Sequence, residues 1–160
     1  MFSAITTARE SIRLTTAYFV PDEATLEALK AAALRGVDVQ LLVPRKGDSR
    51  LVTAAARSYY DELTTTGIRI YEYGPAMLHA KTLAVDNAIA LVGTTNTDNR
   101  IFRLNFEVVA AIFYRGTSER LRTQFDVDLF SAKRYRPMYD RGRLSPRLTA
   151  AIARLFSPLL

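Results

Sequence analysis

His79 is the only histidine in this chain of 160 residues, and it opens a spaced set of polar residues: His79, Lys81, Asp86, Gly93, Thr94 and Asn96. Written as a pattern, the set is HxK, four residues, D, six residues, G[ST]xN. An imidazole is a competent nucleophile near neutral pH. An ammonium, a hydroxyl and a carboxamide are donors suited to anionic oxygens. Together they point to phosphodiester chemistry through a histidine nucleophile. Such chemistry also needs a second histidine to move the proton of the leaving group, and this chain has one.

On an extended strand His79 and Lys81 project on the same side, which sets a fixed cation beside the imidazole. Asp86-Asn87 suits a tight hairpin turn. If the chain reverses there, the run from Ala88 returns antiparallel to the His79 strand, and the segment from Gly93 comes back toward His79. Gly93 then permits close backbone approach, Thr94 offers a hydroxyl, and Asn96 offers amide donors. Glu107 stands in Asn105-Phe106-Glu107-Val108-Val109, an otherwise apolar run. A carboxylate there needs a partner. A histidine ring N–H is a natural one, because the pair fixes the tautomer and stabilises a cationic adduct.

Each residue also has a plainer reading. A lone histidine in an apolar strand is more often a core residue, and Asp86 reads most simply as a turn residue. Asn96 alone would be loop chemistry, and Glu107 alone an edge-strand charge. Six constrained positions falling together outweigh these separate readings. The expected site is His79, Lys81, Asp86 and Glu107 as catalytic residues, with Lys81, Thr94 and Asn96 on the phosphate and Asp86 keeping its turn role.

The elements that must position these residues alternate along the chain. Residues 2–10 read as helical and Ser11 to Phe19 as a strand. Asp22 caps a helix whose apolar face carries Leu26, Leu29 and Ala33 and which stops at Gly36. Val37 to Val43 is a buried strand, and Pro44 to Asp48 a loop. A second helix carries Leu51, Ala55, Tyr59 and Leu63 and ends at Gly67, before the strand 68–73. Two helix–Gly–strand units in succession predict an α/β fold, a mixed β-sheet layered with helices. Met77 to Val85 and Ala88 to Val92 form the hairpin, and Asn105 to Tyr114 could pair beside it. Thr117 to Ser131 is helical, residues 132–146 read as an exposed basic connection, and Arg147 to Leu160 as a short amphipathic helix. No internal repeat or domain boundary interrupts residues 1–160.

Composition narrows the partners. The net charge is +6, with most of the basic residues arginine, which suits phosphate-bearing partners, nucleic acid or an anionic lipid surface alike. No cysteine is present, so thiolate metal sites and disulfides are excluded. A zinc site would have to rest on carboxylates, and neither metal nor cofactor is expected. No apolar run approaches the ~20 residues that span a bilayer. The N-terminal segment has neither the basic nor the apolar region of a signal peptide.

His79-x-Lys81 with Asp86, followed by Gly93-Thr94-x-Asn96, resembles the HKD signature of the phospholipase D superfamily. Glu107 falls where those enzymes place the carboxylate that supports the histidine. The segments TAYFVPDEATLEALKAAALRGVDVQLLVP, SYYDELTTTGIRIYEYGPAMLHAK, NTDNRIFRLNFEVV and LFSPLL are similar to the C-terminal half of bacterial cardiolipin synthases, so the resemblance covers about residues 2–160. Ala17, Thr94-Thr95 and Ile101 depart from the commoner residues, and Thr94 keeps the hydroxyl. The resemblance implies a single phospholipase D-like HKD domain whose N-terminal half and membrane helices lie outside this sequence. It implies metal-independent phosphatidyl transfer from phosphatidylglycerol through a phosphohistidine. The second histidine would come from a second HKD half, in cis or from a homodimer. By the same resemblance the enzyme works at the bacterial cell membrane, peripherally or tethered through N-terminal helices, while this chain alone would be soluble. Two other readings stay open: a homodimeric single-HKD nuclease or phosphodiesterase acting on nucleic acid, and a non-catalytic HKD partner domain.

Overall fold

The computed structural model describes residues 1–47, 49–94, 97–98 and 108–137, with backbone alone at 50, 51, 97 and 98. In chain order the elements are α1 (Phe2–Thr7), β1 (Ser11–Thr15), β2 (Phe19–Val20), α2 (Glu23–Leu34), β3 (Asp38–Pro44), α3 (Arg50–Thr65) and β4 (Arg69–Tyr73). There follow β5 (Thr82–Val85), β6 (Ile89–Gly93), β7 (Thr97–Asp98), β8 (Val109–Ile112), α4 (Arg115–Leu129) and β9 (Ala132–Arg134). Seven strands form one mixed sheet in the order β8-β6-β5-β1-β3-β4-β9, and β2 pairs with β7 in a separate two-stranded ladder. The expected α/β architecture of helices layered on a mixed sheet is what forms.

Its construction follows from the helix–Gly–strand units. Asp22 accepts a hydrogen bond from the amide of Thr25 at 2.7 Å and so starts α2. Gly36 and Gly67, at φ +91° and +93°, adopt the left-handed conformation that turns the chain out of α2 and α3. Strands β1, β3 and β4 are parallel neighbours. Two right-handed crossovers progressing the same way across the sheet place α2 and α3 on one face. There Ile12, Leu14, Val39, Leu41, Ile70, Leu83 and Leu91 of the strands pack with Ile5 of α1, Leu29 of α2 and Leu63 of α3. The opposite face carries a smaller cluster in which Leu42 and Leu78 meet Phe125 of α4.

Beneath α4 the sheet also buries Arg13, 7% exposed, whose guanidinium lies 6.0 Å from the centre of the Phe125 ring. The charge is compensated by the Asp38 carboxylate at 2.7 Å, which also pairs with Arg69. Burial acts to raise the Asp38 carboxyl, but the hydrogen bonds from Arg69 and Arg13 outweigh it and hold the group below its ordinary range.

Several expectations shift at their boundaries, and the helix expected over residues 2–10 ends at Thr7. The strand expected over Ser11 to Phe19 breaks after Thr15, where the Thr16 hydroxyl donates to the carbonyl of Tyr18 at 2.9 Å and the chain leaves the sheet. Because β1 ends there, the chain before Thr82 has no strand beside it on that side, and the run expected from Met77 becomes a strand only at Thr82. The basic connection expected over 132–146 begins with a strand, β9, paired antiparallel to β4. It is a three-residue edge strand reading Ala-Lys-Arg, and charge on an edge hides the strand signal. The amphipathic helix expected over Arg147 to Leu160 lies outside the described residues.

Candidate active site

The β5–β6 hairpin positions the site. Asp86 and Asn87 both take φ +52°, the left-handed pair that a two-residue turn requires, and the Ala88 amide donates to the carbonyl of Val85 at 2.9 Å. The Asp86 carboxylate then ties this turn to the start of β1. It accepts from the backbone amides of Arg9, Glu10 and Ser11 at 2.7, 2.8 and 2.7 Å. From this anchor β5 runs antiparallel to β1, with Val85 opposite Ile12 and Thr82 opposite Thr15. Lys81 and His79 therefore emerge at the carboxyl ends of the parallel strands, the edge where open α/β sheets hold their ligands.

Strand β6 returns alongside β5, and the Gly93 amide donates to the carbonyl of Lys81 at 3.3 Å. His79, Lys81, Thr82, Val92, Gly93 and Thr94 line an open cleft of about 550 Å³. The return of the Gly93 segment toward His79, expected from the hairpin, is what brings Thr94 into this cleft. Lys81 folds its ammonium onto the carbonyl of His79 at 2.9 Å, so the cation sits beside the histidine's own backbone. The His79 side chain is exposed at the cleft, and its ring meets Tyr18 edge-on, at 6.2 Å between centres and 87° between planes. The core reading of a lone histidine does not describe this residue.

Thr94 has a second task. Its amide donates to the carbonyl of Val108 at 3.0 Å, and its hydroxyl oxygen accepts from the Val108 amide at 3.1 Å. The chain just after Glu107 is thereby held to the cleft wall. Glu107 and Asn96 themselves lie outside the described residues. Asp86 is not brought to His79: about 13 Å of strand, the length of β5, separates the turn from the cleft. Tyr18 is a neighbour that the motif did not point to. The signal was available in its position, three residues past the end of β1 at the ligand-bearing edge. Among the described residues no group of three or more His, Cys, Asp or Glu could hold a metal ion.

The backbone bonds of Asp86 carry a first prediction. Asp86→Ala removes three charge-assisted hydrogen bonds that join residues 9–11 to the hairpin, and a loss of about 2–4 kcal/mol is expected in urea unfolding. Asp86→Asn, which keeps one carbonyl oxygen, should lose roughly half of that. Equal stability of all three proteins would show that the clamp is dispensable.

Residues 1–129 match the family model described as "Cardiolipin synthase, PLD-like domain". The chain belongs to this cardiolipin synthase, PLD-like domain family. It is 46% identical over 160 residues to the cardiolipin synthase of Halalkalibacterium halodurans, covering 99% of this chain and 32% of that protein. It is 44% identical to cardiolipin synthase 2 of Bacillus anthracis, covering 99% of this chain and 31% of that one. The chain thus spans about a third of the length of these relatives. Nuc from Salmonella typhimurium, a phospholipase D family member, superposes with a TM-score of 0.71 at 25% identity, over 84% of this chain and 88% of that chain. The phosphatidylserine synthase of Haemophilus influenzae shares the fold with a TM-score of 0.71 at 13% identity, over 99% of this chain and 41% of that one. The PLD-like fold read from the HKD spacing is therefore the fold of this family member. No helix among the described residues is long and apolar enough to cross a membrane.

Proposed function

We propose that this chain is the second HKD half of a cardiolipin synthase, one phospholipase D-like domain over residues 1–160, and that it completes its active site with a histidine from another half. The observation that carries the reading is the cleft where His79 stands exposed beside Lys81, in a chain so similar to named cardiolipin synthases yet a third of their length.

In this reaction an imidazole nitrogen of one histidine attacks the phosphorus of phosphatidylglycerol. A P–N bond forms, the P–O bond to the terminal glycerol breaks, and the second histidine protonates the departing oxygen. The second histidine then takes the proton of a hydroxyl on another phosphatidylglycerol. That oxygen displaces the histidine from phosphorus, giving cardiolipin and free enzyme. His79 is one of the two histidines, and the exchange is symmetric enough that either role suits it. Lys81, Thr94 and Asn96 hold the non-bridging oxygens, and Glu107 supports the imidazole. Asp86 serves this site from a distance, by fixing the hairpin that presents His79. The substrate places the enzyme at the bacterial cell membrane, peripherally or tethered through helices elsewhere in the longer protein.

A second reading has a specific observation behind it. Nuc, a phospholipase D family member, is matched over 88% of its chain, so a domain of this size can form a chain by itself, and a homodimer of single-HKD chains would then complete the site. One preparation decides between them. Mixed with a polypeptide carrying a first HKD half, the chain is expected to convert phosphatidylglycerol to cardiolipin, and alone as a monomer to give none. DNA cleaved at low salt, with no lipid product under either condition, would overturn the choice.

A further inference from the structure

The connection from β4 to β5 has an unusual path. These strands are separated in the sheet by β3 and β1, so residues 74–81 must cross the carboxyl ends of both, roughly 14 Å at the ordinary strand spacing. In its middle the crossing is tacked down by Leu78, which is buried against Leu42 and Phe125, and at its start by the Gly74 amide, which donates to the carbonyl of Ser131 at 3.3 Å. Before that point Pro75, Ala76 and Met77 are all exposed, Met77 to 43%. Two residues after Met77 comes His79.

Arg45 and Lys46 leave β3 at the same edge, and the Arg45 amide donates to the carbonyl of Tyr73 at 2.8 Å. The guanidinium carbon of Arg45 lies 3.3 Å from where a side chain on Gly74 would begin, so the cation lies directly against the start of the crossing. Lys46 is exposed, and neither residue has an ion-pair partner among the described residues.

We infer that Met77, together with Arg45 and Lys46 at the same sheet edge, is a docking surface for an anionic phospholipid bilayer, and that it sets the mouth of the His79 cleft against the headgroups. An apolar tip gains by entering the boundary between headgroups and acyl chains, and cations are held there by the negative surface. A nucleic-acid backbone would reward the cations and leave Met77 in water. The apolar tip is what selects the bilayer. The inference deepens the lipid reading of the site and rests on it for the identity of the surface.

Flotation with vesicles tests it without turnover. The chain is expected to partition onto vesicles containing phosphatidylglycerol and to leave those of phosphatidylcholine alone. Met77→Ser should weaken partitioning about fivefold, and Arg45→Gln with Lys46→Gln about tenfold or more with a flattened salt dependence. A duplex DNA oligonucleotide is the parallel probe. Failure of the parent chain to bind the anionic vesicles would overturn the inference. So would a Met77→Ser protein that binds like the parent while the double variant loses DNA and vesicles equally, the mark of a patch for any polyanion. Unchanged thermal melts confirm that the variants are folded. Vesicle binding that persists where transfer is absent counts against the synthase reading alone; transfer without any effect of these substitutions counts against the docking surface alone.

Discussion

Alanine in place of His79 is expected to abolish phosphatidyl transfer by the assembled enzyme, a fall of about four orders of magnitude or more. The other half of the site cannot substitute. In the proposed two-histidine reaction, loss of one means that either the P–N bond never forms or the leaving oxygen departs unprotonated. The structure separates this loss from a folding defect. The imidazole is exposed and sits outside both apolar clusters, and among the described residues its ring packs edge-on with that of Tyr18. His79→Ala should therefore melt within about a degree or two of the parent, since surface substitutions of this kind change stability by less than about 0.5 kcal/mol. Turnover measured on radiolabelled phosphatidylglycerol, beside the melt, gives both quantities from one preparation. Residual cardiolipin synthesis at even a tenth of the parent rate would remove His79 from the mechanism.

Gly93→Ala should be the most damaging change of a cleft residue that carries no reacting group. A Cβ at this position would stand 2.2 Å from the carbonyl oxygen of Val108 and 2.9 Å from the Cα of Val109. Both are backbone atoms, one in β8 and one just before it, so no side chain can swing aside to make room. Gly93 is paired with Val109 in the β6–β8 ladder, and one residue on, Thr94 makes its two hydrogen bonds to Val108. Relief of the clash requires β8 to withdraw, which breaks those bonds and moves the chain that follows Glu107. A loss of about 3 kcal/mol in unfolding and a fall in transfer of at least a hundredfold are expected. Gly116→Ala is the control. The atom its Cβ would meet, 2.7 Å away, belongs to the ring of Tyr114, which is 68% exposed and can rotate into solvent. If both variants behave alike, the close approach of β6 and β8 is not what fixes this wall of the cleft.

The layers and most elements were legible because they rest on local signals. Asp22, Gly36 and Gly67 each act within a few residues, and two helix–Gly–strand units leave few ways to build a sheet. The hairpin was legible for the same reason, since Asp86-Asn87 is a turn by its own chemistry. Adjacency across the hairpin followed from it, and so did the approach of Thr94 to His79. What escaped depends on partners far away in sequence. The true start of β5 is set by where β1 ends, some seventy residues earlier. The three amides that occupy Asp86 belong to residues 9–11, and no pattern around Asp86 names them. Strand β9 exists because β4 offers it an edge. Tyr18 meets His79 only because β1 and β5 lie side by side. Asn96 and Glu107 remain readings of spacing and of the family's pattern.

The clamp between Asp86 and residues 9–11 has a bearing on how the molecule is made. The β3–β1 and β4–β3 pairings each close a loop of about thirty residues, whereas the strand presenting His79 is seated on β1 across some seventy. Closing the longer loop costs more entropy before any contact rewards it, and such pairings form late. On a ribosome the chain must have emerged to about residue 90 before the carboxylate can find its amides. The parallel core can assemble as soon as β4 appears, and the reactive hairpin then adds to a finished template. A nascent chain stalled near residue 75 would hold a sheet and no cleft, its β1 edge open to whatever strand comes first.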